Sequence, residues 1–398
     1  MQTRITTTNA KKVPAAHSVY ARLSAPASAA LGLSAGLALA LDAGAQGVAN
    51  ELVPAEQTAA ASADPNWRPP RFSWGHPNLE GTFTSRDMGG IPMQRPEEFG
   101  TRQFLTAEEF RERATGGPTG LSALAGQQDD SDARLQLSAL DSTELGSRAF
   151  GYTSYVIAPA DGRIPELTEE GRQRQARTAR PNNGPFYSTE DFSYYDRCIS
   201  RGVTGSILPS LYGDAVRIVQ SPTEVAISYE MLHDTRIIPL DGRPPADAAV
   251  RQFMGSSVGR WDGDTLVVET TNLNDELREG RMPHSEDLKL TERFTRIDPD
   301  MIDYVVTIDD PRTYTAPWTF RLTLTTQPGY EVLEYSCHEG NNFIRTALRA
   351  EHQYQQSVAA ARANGEPIPE RSSGRSSSGR GIFEPPDAAE ALEIGVAE

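Results

Sequence analysis

Cysteine is nearly missing from this chain, with only Cys198 and Cys337 among 398 residues. That excludes a dense disulfide framework and any zinc site built on repeated cysteine pairs. Histidine is scarce too, six in all. His233, His284, His338 and His352 fall in the half read as folded, and none has the close spacing of a zinc or calcium site. No metal is therefore expected; the one arrangement that would change this is a set assembled across strands from His233, His338 and Glu292. Basic residues are outnumbered, 38 Lys and Arg against 54 Asp and Glu, for a formal charge of −16. An acidic surface is a poor match for nucleic-acid phosphates or anionic lipid, so neither is expected as a partner. Gly-rich phosphate loops and Gly-x-Ser-x-Gly elbows are also missing, so nucleotide-dependent and serine-hydrolase readings are weak and no cofactor is expected.

Long apolar runs are absent as well. The stretch 27–41 has about 15 residues, short of the roughly 20 that a membrane span needs. It follows a basic region with Arg4, Lys11, Lys12 and Arg22 and ends in Ala43-Gly44-Ala45, the pattern of a cleaved export signal over 1–45. The mature chain is expected to begin near Gln46, in the periplasm or outside the cell, without stable membrane insertion. Loss of four basic residues and Asp42 would take the formal charge from −16 to −19. In an oxidising compartment Cys198 and Cys337 are expected to pair, closing a loop worth about 5 kcal/mol by chain entropy. The alternatives are a reactive Cys337 thiol beside His338 and two unpaired structural thiols.

What the chain does contain is β-type patterning in its second half. Eight segments, 216–219, 224–231, 235–240, 265–271, 288–295, 302–308, 318–326 and 330–336, have strand length and β-branched or aromatic enrichment. Asp-Gly, Pro-Asp and Pro-Gly turns separate them. The expected fold is mainly β: an antiparallel meander over 201–342 closing into a lipocalin-like barrel, with a β-sandwich as the alternative. Residues 46–65 read as a linker. Residues 66–200 read as an irregular wrapping segment, with short helices starting after Thr106 and Thr168 and a mobile polar insertion at 117–147. A helix over 343–365, capped by Asn342, and a disordered tail over 366–398 complete the expectation.

Several stretches occur together in a specific order: Asp161-Gly-Arg-Ile-Pro, Tyr229-Glu-Met-Leu-His-Asp-Thr-Arg-Ile-Ile-Pro-Leu-Asp-Gly-Arg, Gly259-Arg-Trp-Asp-Gly-Asp-Thr-Leu-Val-Val-Glu-Thr, Thr291-Glu-Arg-Phe, Ile308-Asp-Asp-Pro and Cys337-His-Glu-Gly-Asn. In these the chain resembles a large family of mostly uncharacterised secreted proteins of environmental bacteria. The resemblance implies an exported protein and brings no catalytic residues with it.

Strand alternation singles out the candidate chemistry. In 288–294, Leu288, Leu290, Glu292 and Phe294 share one face, so Glu292 points inward, where a carboxylate must be paired, hydrogen-bonded or protonated. The bland reading is a structural Glu–Arg pair. In 225–233, Val225, Ile227, Tyr229, Met231 and His233 share the apolar face, which makes His233 the inward imidazole and leaves Glu230 opposite. His338, Glu339 and Asn341 sit at a strand-to-helix junction, and Asp309-Asp310 at a strand end, where turn chemistry is the competing explanation. The expectation is a secreted enzyme, a hydrolase or a lyase or isomerase, using His233, Glu292 and His338 for acid–base catalysis on a small organic or carbohydrate-like molecule. Glu230, Arg236, Asp309, Trp318, Glu339 and Asn341 would contact it. The rival is a non-catalytic small-molecule binding protein using the same pocket.

Overall fold

The computed structural model describes residues 51–52, 64, 66–115, 148–178, 185–210, 212–276, 279 and 282–370. The expected signal (1–45) and insertion (117–147) lie outside the described residues, as do most of the expected linker and tail.

Ten strands form one antiparallel sheet. In chain order they are β1 (Gly81–Thr84), β2 (Val156–Ala158), β3 (Ala215–Gln220), β4 (Glu224–Tyr229), β5 (Thr235–Pro239), β6 (Ser256–Asp262), β7 (Thr265–Thr271), β8 (Lys289–Asp298), β9 (Met301–Asp309) and β10 (Trp318–Thr325). The spatial order is β5-β4-β3-β1-β10-β9-β8-β7-β6, with β2 also pairing β10. Two meanders, β3–β5 and β6–β10, are thus joined by β1, which sits between β3 and β10. Patterning missed β1, β2 and β6. A four-residue strand whose only large apolar side chain is Phe83 gives alternation nothing to register, and β6 is only half-buried along its length. Conversely, the expected strand at 330–336 is an irregular strap.

Period-two burial is clearest in the second meander. Leu290, Glu292 and Phe294 of β8, Ile302, Tyr304, Val306 and Ile308 of β9, and Phe320, Leu322 and Leu324 of β10 are all buried. Registers Glu292↔Val306 and Val306↔Phe320 stack these positions in layers on one face. Each fully buried Leu or Phe contributes about 1.5–3 kcal/mol, and together with Phe83, Val216, Ile227 and Val268 they form one continuous core.

The sheet curls until its edge strands meet. A Cβ on Gly259 of β6 would lie 2.7 Å from Ile238 Cγ2 of β5, so glycine is what lets the two edges approach. No ladder among the described residues joins β5 to β6.

Three α-helices occur among the described residues: α1 (Ala107–Thr115), α2 (Glu169–Thr178) and α3 (Phe343–Asn364). Thr106 and Glu109 cap α1 reciprocally: Thr106 Oγ1 accepts the Glu109 N–H at 3.3 Å and Glu109 Oε2 accepts the Thr106 N–H at 2.7 Å. Thr168 Oγ1 caps α2 through the Gly171 N–H at 2.9 Å. Asn342 precedes α3, but its side chain makes no capping bond; the helix stops at Gly365, whose φ of 68° suits a residue without Cβ. None of these helices is long and apolar enough to cross a membrane.

Candidate functional site

Glu292 is fully buried, as alternation requires, and it is saturated. Arg236 clasps it in a fork, Nη1 to Oε2 at 2.6 Å and Nη2 to Oε1 at 2.9 Å, and the Tyr304 hydroxyl donates to Oε1 at 2.8 Å. Arg236 reaches it from β5 and also touches Thr270 Oγ1 at 3.3 Å and Ser257 Oγ at 3.4 Å. Its guanidinium lies over the Tyr229 ring at 5.8 Å. Burial alone would lower the Arg236 pKa, but Glu292 outweighs it and the group stays charged. Burial, reinforced by Glu292, holds the Tyr304 phenol well above its usual value, so it remains a donor. One positive and one negative charge cancel here. Arg236 Nε and the Tyr229 hydroxyl are the polar atoms left without a partner.

The histidines do not join this carboxylate. Strand β4 ends at Tyr229, and Leu232 and His233 then adopt positive φ values of 65° and 54°. That reversal breaks the alternation which predicted an inward His233. The imidazole is exposed and its Nε2 accepts the Tyr335 N–H at 3.0 Å. His338, Glu339 and Asn341 are exposed as well, Asn341 donating to the Asp196 carbonyl at 3.1 Å. All of Glu292's hydrogen bonds come from Arg236 and Tyr304, so the structure does not assemble His233, Glu292 and His338.

Asp309 is exposed at the end of β9, whereas its neighbour Asp310 is buried and accepts Ser285 N–H at 2.6 Å and Ser285 Oγ at 2.7 Å. That pair is turn architecture. Trp318 is only 1 % exposed and packs on Tyr314 and Phe320 in the core.

Of a second ionic cluster, pattern reading singled out only Glu230, as a candidate substrate contact. Its members are Arg86, in a buried turn after β1; Asp214, just before β3; Glu230, just after β4; and Tyr330, on the strap. Arg86 Nη2 donates to Asp214 Oδ1 at 2.8 Å, with both side chains fully buried. Glu230 is only 3 % exposed, although alternation along 225–233 places it opposite the apolar face. It accepts Tyr330 hydroxyl contacts at 2.7 Å on both oxygens, the Leu333 N–H at 2.9 Å and the Ala215 N–H at 3.3 Å. The Arg86 guanidinium lies 4.8 Å above the Tyr330 ring.

Here the charges do not cancel, because one guanidinium faces two carboxylates. Burial, and then the charge of Glu230, push the Asp214 pKa up against the pull of Arg86. Arg86 itself is held charged: burial lowers it, but Asp214, Tyr330 and Glu230 together raise it further. Asp214 therefore holds its proton to a higher pH than an ordinary aspartate. Its Oδ2 is buried with no hydrogen-bond partner. The register Thr84↔Ala215, carried one residue on, sets Ser85 opposite Asp214; Ser85 Oγ and Thr84 Oγ1 are also buried without partners. Tyr155 closes the other side, donating to the Met88 carbonyl at 2.7 Å, its pKa raised by burial and by Asp214.

The strap is anchored at both ends of this region. Tyr330 and Leu333 bind Glu230, Tyr335 binds His233, and Cys337 is joined to Cys198 with an S–S distance of 1.99 Å across 139 residues. No group of three or more His, Cys, Asp or Glu placed to hold a metal ion is found among the described residues. The fold and site define an antiparallel β-sheet protein with a disulfide-tethered strap over a buried acid pair. No protein-family model, curated protein or solved structure matches the chain.

Proposed function

We propose that this chain is an exported enzyme that performs acid–base chemistry on a small organic or carbohydrate-like molecule, as a hydrolase or as a lyase or isomerase. The proposal moves the reacting groups away from His233, Glu292 and His338 to Asp214 and Glu230. The single observation that supports it is the unbalanced cluster: Asp214 paired with Arg86, a second buried carboxylate, Glu230, acting on the same arginine, and Asp214 Oδ2 without a partner. An acid that keeps its proton above the usual carboxylate range beside a charged partner is the arrangement a general acid requires. Buried oxygens without partners mark where a ligand would supply the missing hydrogen bonds. In this reading the curled sheet works as a barrel, the strap roofs its acidic end, Asp214 donates the proton, Glu230 stabilises positive charge and Tyr330 holds Glu230 in place. Neither a cofactor nor nucleic acid takes part.

Export rests on the basic and apolar pattern of 1–45 together with the disulfide. The rival is a periplasmic binding protein whose ligand contacts the same bare oxygens without turnover. The test incubates purified protein with a panel of polysaccharide fragments and small aromatic extracts and follows new masses by mass spectrometry. Product formation lost in Asp214→Asn and Glu230→Gln and retained in Glu292→Gln is the expected result. Retention of a panel compound without conversion favours the rival, and turnover unaffected by both cluster variants removes Asp214 and Glu230 from the chemistry.

A further inference from the structure

Beside the disulfide, three tyrosines from distant parts of the chain bring their hydroxyls together. Tyr195 Oη lies 3.1 Å from Tyr335 Oη and 3.4 Å from Tyr212 Oη. The rings of Tyr212 and Tyr335 stack with centroids 6.1 Å apart and planes at 24°, and Tyr212 is 37 % exposed. The Arg201 guanidinium lies over the Tyr195 ring at 5.6 Å and donates to the Met231 sulfur at 3.4 Å. Among the described residues it has no carboxylate partner, in a chain with 54 acids.

The Tyr195 hydroxyl bridges the other two, and among the described residues no carboxylate is bonded to any of the three. Burial raises the Tyr195 pKa well above the usual phenol value, so it stays a donor, and the same holds for Tyr335. An unpaired guanidinium next to converging O–H donors matches a carboxylate, which accepts from several donors at once. The aromatic surface beside it suits a planar ring. We propose that Tyr195, Tyr212, Tyr335 and Arg201 form a binding site for a ring-bearing organic carboxylate. This site is independent of the acid–base reading of Asp214.

Two further features support it. The disulfide fixes Cys198, three residues from Tyr195, to Cys337, two residues from Tyr335, so the platform is organised before a ligand arrives. The net charge of −16 opposes an anion only weakly, because charges beyond about 8 Å are largely screened at physiological ionic strength.

The experiment titrates the oxidised full-length protein with 4-hydroxybenzoate and, as a neutral counterpart, 4-hydroxybenzyl alcohol, by calorimetry. The carboxylate is expected to saturate one site and the alcohol to bind at least roughly tenfold more weakly, as loss of a charge-assisted contact implies. Arg201→Gln should weaken carboxylate binding by roughly tenfold or more, and Arg201→Lys, which keeps the charge without the fork, by less. Tyr335→Phe should weaken it severalfold, and Asp214→Asn should leave it unchanged. Circular dichroism of each variant confirms the fold. No saturable binding in the folded protein, equal binding of the alcohol, or full affinity in folded Arg201→Gln overturns the proposal. Loss of binding in Asp214→Asn would place the carboxylate at the other cluster and overturns it as well.

Discussion

Two buried ionic clusters sit in the same sheet, and they differ in stoichiometry. Around Glu292, one carboxylate meets one arginine and a tyrosine hydroxyl, and both carboxylate oxygens are occupied. Around Asp214, Arg86 bonds one carboxylate while a second, Glu230, adds its negative charge nearby, and Asp214 Oδ2 has no partner. Charge is balanced in the first cluster, and its fork of hydrogen bonds pins β5 to β8. The second leaves Asp214 Oδ2, Ser85 Oγ and Thr84 Oγ1 buried without partners, which is why the proposed acid–base chemistry is placed there. Burial of an acid is therefore a weaker functional signal than the count of charges around it.

The largest expected effect separates the clusters mechanically. Reducing the Cys198–Cys337 disulfide opens a loop worth about 5 kcal/mol by chain entropy and frees the strap. Hydrogen exchange should then show lost protection at the Leu333 amide, which Glu230 accepts, with strands β8 and β9 around Glu292 still protected under native conditions. Next in size is Glu292→Gln, which breaks a buried pair at a cost of about 3–5 kcal/mol. Chemical denaturation should register that loss while any turnover persists.

Asp214→Asn should behave in the opposite way. The Asp214 pKa is raised in the folded state, so the folded form is favoured most when Asp214 is protonated. Its contribution is complete below the unfolded value of about 3.9 and is lost as pH rises through the folded pKa. Asparagine cannot ionise, so the stability of the variant relative to the parent should increase between acid and neutral pH. Thermal melts across that range check the sign, and a relative stability that falls with pH would reverse the assignment. The smallest effects belong to the exposed residues that pattern reading favoured. His338→Ala and Asp309→Ala should each change stability by less than about 0.5 kcal/mol.

Much of the sheet was legible because β-branched and aromatic alternation is a local signal. Strands β7 to β10 fall close to their expected limits, and the inward turn of Glu292 follows from period two alone. His233 escaped the same logic because two positive-φ residues after Tyr229 end the strand within a stretch whose alternation continues on paper. The strap at 330–336 has strand composition, but its backbone donors go to Glu230 and His233 side chains instead of a neighbouring ladder. Apart from Glu230, the Asp214 cluster was illegible for a different reason. Arg86 and Asp214 are 128 residues apart, and Tyr330 is 100 residues from Glu230, so no spacing rule links them. Only the short strand β1, itself without a pattern, brings Arg86 to Asp214.

The proposed acid–base function requires that Asp214 keep its proton at neutral pH and that Glu292 stay outside the chemistry. Infrared difference spectroscopy at neutral pH tests it directly through the carbonyl stretch of a protonated carboxyl group. The account predicts such a band in the parent protein, absent in Asp214→Asn and still present in Glu292→Gln. A parent without the band at neutral pH, or a band that survives in Asp214→Asn, would contradict it.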